Sequence, residues 1–178
     1  MTTTTHNSTP ATPPTEIDSA APVVVRHSIH VAASPDALWA LHTDVAGWPR
    51  WHGEITVLHA DGPLAVGHDF TWTSYGFAVT STPYAVGPLP GGGRRSLWGG
   101  TSDGITGVHE WRFTPESGGT LVETRESFAG QPIEANPDAM RRALDSSLEA
   151  WLQHLADAAT ADASATDADS ATDAGAQR

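Results

Sequence analysis

Two ionisable residues on neighbouring stretches of this chain have the types and spacing for proton transfer, His109 and Glu126. His109 alternates with Trp111 and Phe113, and Glu126 alternates with Val122, Thr124 and Phe128. A period of two puts each on the apolar face of its own strand. Gly118-Gly119 between them marks a hairpin turn. Closing that turn over Pro115–Gly119 sets Glu126 opposite a position near 110 to 112, one or two residues from His109. A carboxyl and an imidazole then share one low-dielectric wall. Burial raises the pKa of the first and lowers that of the second, while a neighbouring opposite charge does the reverse. Such a pair can serve as general acid and base, taking a proton from beside a carbonyl and giving one to a departing hydroxyl. The same residues can also form a buried structural contact, or Glu126 can join Arg125 in a surface network.

Seven tryptophans are the second signal. Each aromatic side chain buries roughly 150–250 Å² and suits a flat apolar ligand as well as a core. Trp39 and Trp151 read as core. Trp72, Trp98 and Trp111 lie on strands and are candidate pocket walls, together with Trp51, Phe70 and Phe113. Ser74, Thr124, Phe128, Met140 and Leu144 complete the expected lining. Arg112 and Arg125 belong on the outer sheet face, opposite their apolar neighbours; a shifted register would instead let an Arg bind an enolate or carboxylate oxygen. His52 follows Trp51 and reads as a surface residue, with the cavity mouth as the alternative, and Tyr75 reads as a turn residue beside Gly76.

Other chemistries find little support. The nine His are scattered singly, with no His-x-x-x-His or His-Glu-x-x-His spacing, so no metal site is expected. There is no cysteine for a thiol nucleophile, a disulfide or a zinc site. Gly91-Gly92-Gly93-Arg94-Arg95 lacks the Lys-Ser/Thr of a phosphate loop, and no Gly-x-Ser-x-Gly elbow occurs. No cofactor is implied.

The elements that must position these residues follow from hydropathy periods. Val25, His27, Ile29 and Val31 alternate with polar residues as a first strand. Ser34-Pro35-Asp36 is a helix start, and two short helices are expected before residue 51. Strands follow near Ile55–His59, His68–Tyr75, Phe77–Thr82, Arg95–Gly99, Gly107–Pro115 and Thr120–Phe128, with Gly87–Gly93 as a loop. Asn136-Pro137-Asp138 opens a helix of about 20 residues, whose stripe is Met140, Leu144, Leu148, Trp151 and Leu155. Strands gathered together and closed by one long helix predict an α+β fold with an antiparallel sheet, the helices on one face and an internal cavity between.

Composition bounds the rest. Of 178 residues, 21 are Asp or Glu and 9 are Arg, with no Lys, for a net charge of −12. So acidic a chain has no electrostatic footprint for nucleic acid or an anionic membrane surface. Residues 1–22 are rich in Thr and Pro, and residues 157–178 are almost only Ala, Asp, Thr, Ser and Gly. Both are expected to be disordered tails flanking a folded domain over 23–156. No basic region followed by an apolar run is visible near the N-terminus, and no apolar run reaches the ~18–20 residues of a membrane span, so a cytoplasmic location is expected.

The stretch Ile29-His30-Val31-Ala32-Ala33-Ser34-Pro35-Asp36-Ala37-Leu38-Trp39-Ala40-Leu41, followed by Asp44-Val45-Ala46-Gly47-Trp48-Pro49-Arg50-Trp51, resembles the opening of START-like (SRPBCC) helix-grip proteins. Gly62 to Trp72, His109 to Phe113, Gly119 to Val122 and the terminal helix fit as well, and the likeness is strongest to the polyketide cyclase/dehydrase group. The resemblance covers about residues 25 to 156. It implies a curved sheet wrapped around the C-terminal helix, and a hydrophobic, aromatic or polyketide-like small molecule as ligand. The superfamily shares a pocket and not one chemistry. A cofactor-independent cyclase or aromatase, a carrier or sensor of a lipid or aromatic molecule, and a co-chaperone-like interaction module are all implied, as monomer or homodimer. The Tyr84–Arg95 segment departs from the resemblance, being loop-like where a shorter acidic turn is usual.

Overall fold

A computed structural model describes residues 12–74 and 76–175, with the side chains of Ser74 and of residues 162–175 outside that description. Seven strands form one antiparallel sheet in the order β1-β7-β6-β5-β4-β3-β2. They are β1 (Val23–Val31), β2 (Ile55–His59), β3 (Phe70–Ser74), β4 (Phe77–Pro88), β5 (Arg94–Ser102), β6 (Ile105–Glu116) and β7 (Gly119–Ala129). Helix α1 (Pro35–Thr43) and a 3-10 turn over Val45–Arg50 follow β1; α2 (Gln131–Ala135) and the long α3 (Pro137–Gly175) follow β7. This is the helix-grip arrangement.

The local causes are those the residue types imply. Ser34 caps α1, its Oγ accepting from the Ala37 amide at 3.2 Å. Asn136 does the same for α3, accepting from the Ala139 amide at 3.3 Å. The β6–β7 hairpin turns over Ser117-Gly118, with Glu116 opposite Gly119. Gly118 has φ +81°, a left-handed conformation that a two-residue turn needs and glycine adopts without penalty.

The inner face of the sheet packs on α3 in two apolar clusters. Val31, Leu38, Trp48, Phe70, Trp98, Trp111, Phe113, Val122, Trp151 and Leu155 form an aromatic one. Val23, Val25, Ile133, Leu144 and Leu148, with Phe128 and Met140 against them, form an aliphatic one.

Three boundaries differ from the sequence expectation. Strand β4 runs on to Pro88 where a loop from Tyr84 was expected, because Ala85 to Pro88 pair with Arg94 to Leu97 of β5. Sheet pairing overrides the turn propensity of Gly87 and Pro88. The ordered chain begins before residue 23. Ile17 is 4% exposed and packs with Leu97 and Val108 on the outer face, where those side chains offer it an apolar seat. The Asp18 amide donates to Ser127 Oγ at 3.1 Å and Arg95 to the Thr15 carbonyl at 2.6 Å. Finally, α3 continues past Asp157 to Gly175, and Ala159 is still buried in the core. Alanine is the best helix former, so the loss of the apolar stripe does not end the helix. The disorder expected at residues 1–11 and 176–178 lies outside the described residues. Among the described residues, no helix is long and apolar enough to cross a membrane.

Candidate functional site

The two-residue turn brings His109 directly opposite Glu126, and Trp111 directly opposite Thr124. The sequence reading set Glu126 one or two positions away because it took a longer turn. In the structure His109 Nε2 and Thr124 Oγ1 are hydrogen-bonded at 2.7 Å, and His109 Nδ1 lies 3.4 Å from Glu126 Oε2. His109 and Thr124 are buried; the Glu126 side chain keeps 15% exposure. Gly107, on the His109 face of β6, leaves the room: a Cβ there would lie 3.1 Å from Phe128 and 3.4 Å from Glu126 Oε1.

This polar trio occupies the seam between the two apolar clusters. Along β7, Val122 belongs to the aromatic cluster, Thr124 and Glu126 to the seam, and Phe128 to the aliphatic cluster. His27 extends the seam onto β1, opposite Thr124, and its Nε2 meets Asp145 Oδ1 of α3 at 2.8 Å.

Burial decides the protonation states. It lowers the His109 pKa from 6.5 to about 3, against a small upward pull from Glu110. It raises that of Glu126 from 4.5 to about 8. Near neutral pH the carboxyl therefore holds its proton and faces an imidazole that lacks one. The pair is an acid beside a base and not an ion pair.

The expected aromatic wall is assembled, and it is denser than a hollow would be. Trp98, Trp111, Phe113 and Phe70 are buried together, with Trp72 and Trp51 half-buried at the margin. Trp48, to which the sequence reading gave no role, sits at the centre. It makes edge contacts with Phe70, Trp72 and Trp151 at centroid distances of 5.5, 5.8 and 5.1 Å, and its Nε1 donates to the His42 carbonyl at 2.9 Å. Trp39, expected in the core, is only partly buried, against Phe113 and His42. Phe128, Met140 and Leu144 line the aliphatic side of the seam, apart from the tryptophans. The expected Ser74 side chain and Tyr75 lie outside the described residues.

Two further histidines lie in this layer. His42 stacks on Trp98 at 5.4 Å and its Nε2 is hydrogen-bonded to Ser96 Oγ at 2.8 Å. Burial and the neighbouring His109 lower its pKa to about 3. His52 is fully buried and not at the surface, packed on Trp151 and His154 at 4.6 and 4.5 Å. The aromatic ladder recruits it, since a neutral imidazole packs as a flat ring. Five buried polar atoms of the layer have no hydrogen-bond partner among the described residues: His42 Nδ1, both His52 nitrogens, His154 Nδ1 and Trp111 Nε1. A bound polar group would satisfy them. Among the described residues no three His, Asp or Glu side chains converge on a metal position.

The outer face carries a second cluster. Arg112 and Arg125 lie there as expected, but the sequence reading missed their partner, Glu110. This residue is fully buried and accepts from Arg95 Nε at 2.5 Å, from Arg112 Nη2 at 3.2 Å and from Arg125 Nε. Burial pushes its pKa up, yet the bonds from Arg125, Arg112 and Arg95 outweigh that and hold it at about 2. Its signal in the sequence was the Glu110–Arg112 pair two residues apart on one strand face.

The sequence model of a family described as "Polyketide cyclase / dehydrase and lipid transport" matches residues 22–160. No curated protein matches the sequence. Several solved structures share the fold. A hypothetical protein of Helicobacter pylori aligns at 18% identity and a TM-score of 0.71, over 83% of this chain and 98% of the other. A START superfamily protein of Mycobacterium smegmatis aligns at 15% and 0.59, over 77% and 97%. DynU16, from the dynemicin biosynthetic locus, aligns at 20% and 0.58, over 75% of this chain and 45% of the other.

Proposed function

The chain belongs to the polyketide cyclase / dehydrase and lipid transport family, and from that premise we propose that it binds a flat apolar small molecule with a carbonyl or hydroxyl against the seam, and catalyses its cyclisation and dehydration. The observation that supports this is the pairing of His109 with Glu126, each neutral, in which Glu126 is the partner that keeps some exposure.

The steps follow from those states. His109, already deprotonated, takes a proton from the carbon beside a carbonyl; that carbon forms a bond to a second carbonyl carbon of the same molecule, and the alkoxide so formed takes the proton back from the imidazolium, leaving a hydroxyl and a neutral His109. In the dehydration a further C–H proton passes to the base, the C–O bond breaks, and the hydroxyl leaves as water with the proton of Glu126. The imidazolium and carboxylate left behind are 3.4 Å apart, so a proton returned to Glu126 restores both. Thr124 holds the ring in place through Nε2. No cofactor enters. The ring-filled layer admits ligand by outward movement of Trp51 and Trp72, its half-buried margin. Holding a flexible chain folded in that slot supplies proximity, which in favourable cases is worth roughly 7–11 kcal/mol of barrier.

Native mass spectrometry of freshly purified protein tests binding: a retained apolar molecule is expected, and its loss in Trp111→Ala. With that molecule or a synthetic poly-ketone, Glu126→Gln and His109→Gln are expected to abolish turnover while still binding. Binding with no turnover in any form would assign a carrier. Failure to retain or bind any apolar molecule would sink the reading.

A further inference from the structure

A groove of about 300 Å³ is lined by the outward-facing Arg26, Glu110, Arg112, Glu123 and Arg125, together with His27 and Thr124, whose strand positions alternate with those. We propose that it binds a phosphate group, as free phosphate or as the end of a small phosphate ester. Its arginines project from the sheet face opposite His109 and Glu126, and the proposal does not rest on the function proposed for that pair.

Charge is the first argument. Four of the nine arginines of a chain with net charge −12 gather on this face, Arg26, Arg95, Arg112 and Arg125. Arg26 and Arg125 are directly opposite one another on β1 and β7. Like charges so placed repel unless an anion lies between them. Arg125 has Glu110; Arg26 is exposed and has no ion pair or hydrogen bond among the described residues.

Geometry is the second. The Glu110 carboxylate sits beneath the groove and fixes three guanidiniums through Arg95 Nε, Arg112 Nη2 and Arg125 Nε. The remaining donors are preorganised at no further entropic cost. Arg112 Nε is buried without a partner. Guanidiniums then line the groove from three adjacent strands, β1, β7 and β6, so that several oxygens of one tetrahedral oxyanion can each meet a donor. Glu16 and Glu123 lie near Arg125 and keep the affinity moderate. The groove has the volume of a small-ligand site. A nucleic acid or an anionic membrane would meet the repulsion of the whole acidic chain, whereas a small anion meets only the groove.

Calorimetric titration of inorganic phosphate into the full chain, at neutral pH and an ionic strength fixed with chloride, is the test. One saturable site is expected. Arg26→Gln, at an exposed position without partners, should weaken it by about tenfold, and Glu123→Gln should tighten it several-fold. Phenyl phosphate binding more tightly than phosphate supports the ester form; weaker binding supports the free ion. Absence of saturable binding, an unchanged affinity in Arg26→Gln, or tighter binding of malonate than of phosphate would overturn the proposal.

Discussion

Glu110 and Glu126 lie on the same two-stranded ladder, one paired with Arg125 and the other with His109, and they face opposite sides of the sheet. Both are removed from most water, yet their pKa values separate to about 2 and about 8. Burial acts in the same direction on each. The difference is the company: three guanidiniums hydrogen-bond Glu110, while Glu126 has a neutral imidazole and apolar neighbours. A carboxyl in a sheet is thus held ionised or neutral at pH 7 according to which face its position on the strand selects. The charged face is fixed by its own bonds.

The largest effect expected from this contrast is on stability. Glu110→Gln leaves Arg95, Arg112 and Arg125 without their shared carboxylate, and breaking such a buried pair costs about 3–5 kcal/mol. Glu126→Gln mimics the protonated acid and should cost less than about 1 kcal/mol. Urea denaturation of both variants checks this, and equal losses would break the comparison. Thr124→Val is next: it leaves His109 Nε2 buried and unpaired, for an expected loss of about 1–3 kcal/mol by the same measurement.

The pH dependence sharpens the contrast. Glu110 has a folded pKa below the unfolded value of 4.5, so it stabilises above that value and its contribution is lost as pH falls toward about 2. Glu126 has a raised folded pKa, so the native state binds the extra proton between 4.5 and about 8, and stability falls as pH rises through that window. Thermal melts from pH 7 to 9, above the range in which the buried histidines act, should show that decline in the parent and a flatter profile in Glu126→Gln. Acidification below 6.5 is opposed by His42 and His109, whose folded pKa values near 3 make protonation disruptive. The smallest effect is at Arg26: without partners, Arg26→Gln should change stability by less than about 0.5 kcal/mol in the absence of anions.

Much of this was legible in the residues. The alternation of His109 with Trp111 and Phe113, and of Glu126 with Val122 and Phe128, placed all six on one face, and the structure keeps them there. The same alternation sent Arg112 and Arg125 outward. The direct pairing of His109 with Glu126 was not legible, because one choice of turn length shifts every partner on the ladder. Glu110 escaped notice because outward positions read as solvated; Arg112 of its own strand and Arg95 and Arg125 of the neighbouring strands cover it. His52 was misplaced for a related reason, since the rings packed on it, Trp151 and His154 among them, come from the distant helix α3.

Periodicity alone determined the α+β class, the strand faces and the closing helix, since side chains must alternate on a pleat and recur every three to four residues on a helix. Tertiary structure decided which cross-strand neighbours each polar residue meets and how completely the tryptophans fill the layer beneath α3. Those outcomes depend on register and on volumes contributed by segments far apart in the chain, and no local pattern carries that information.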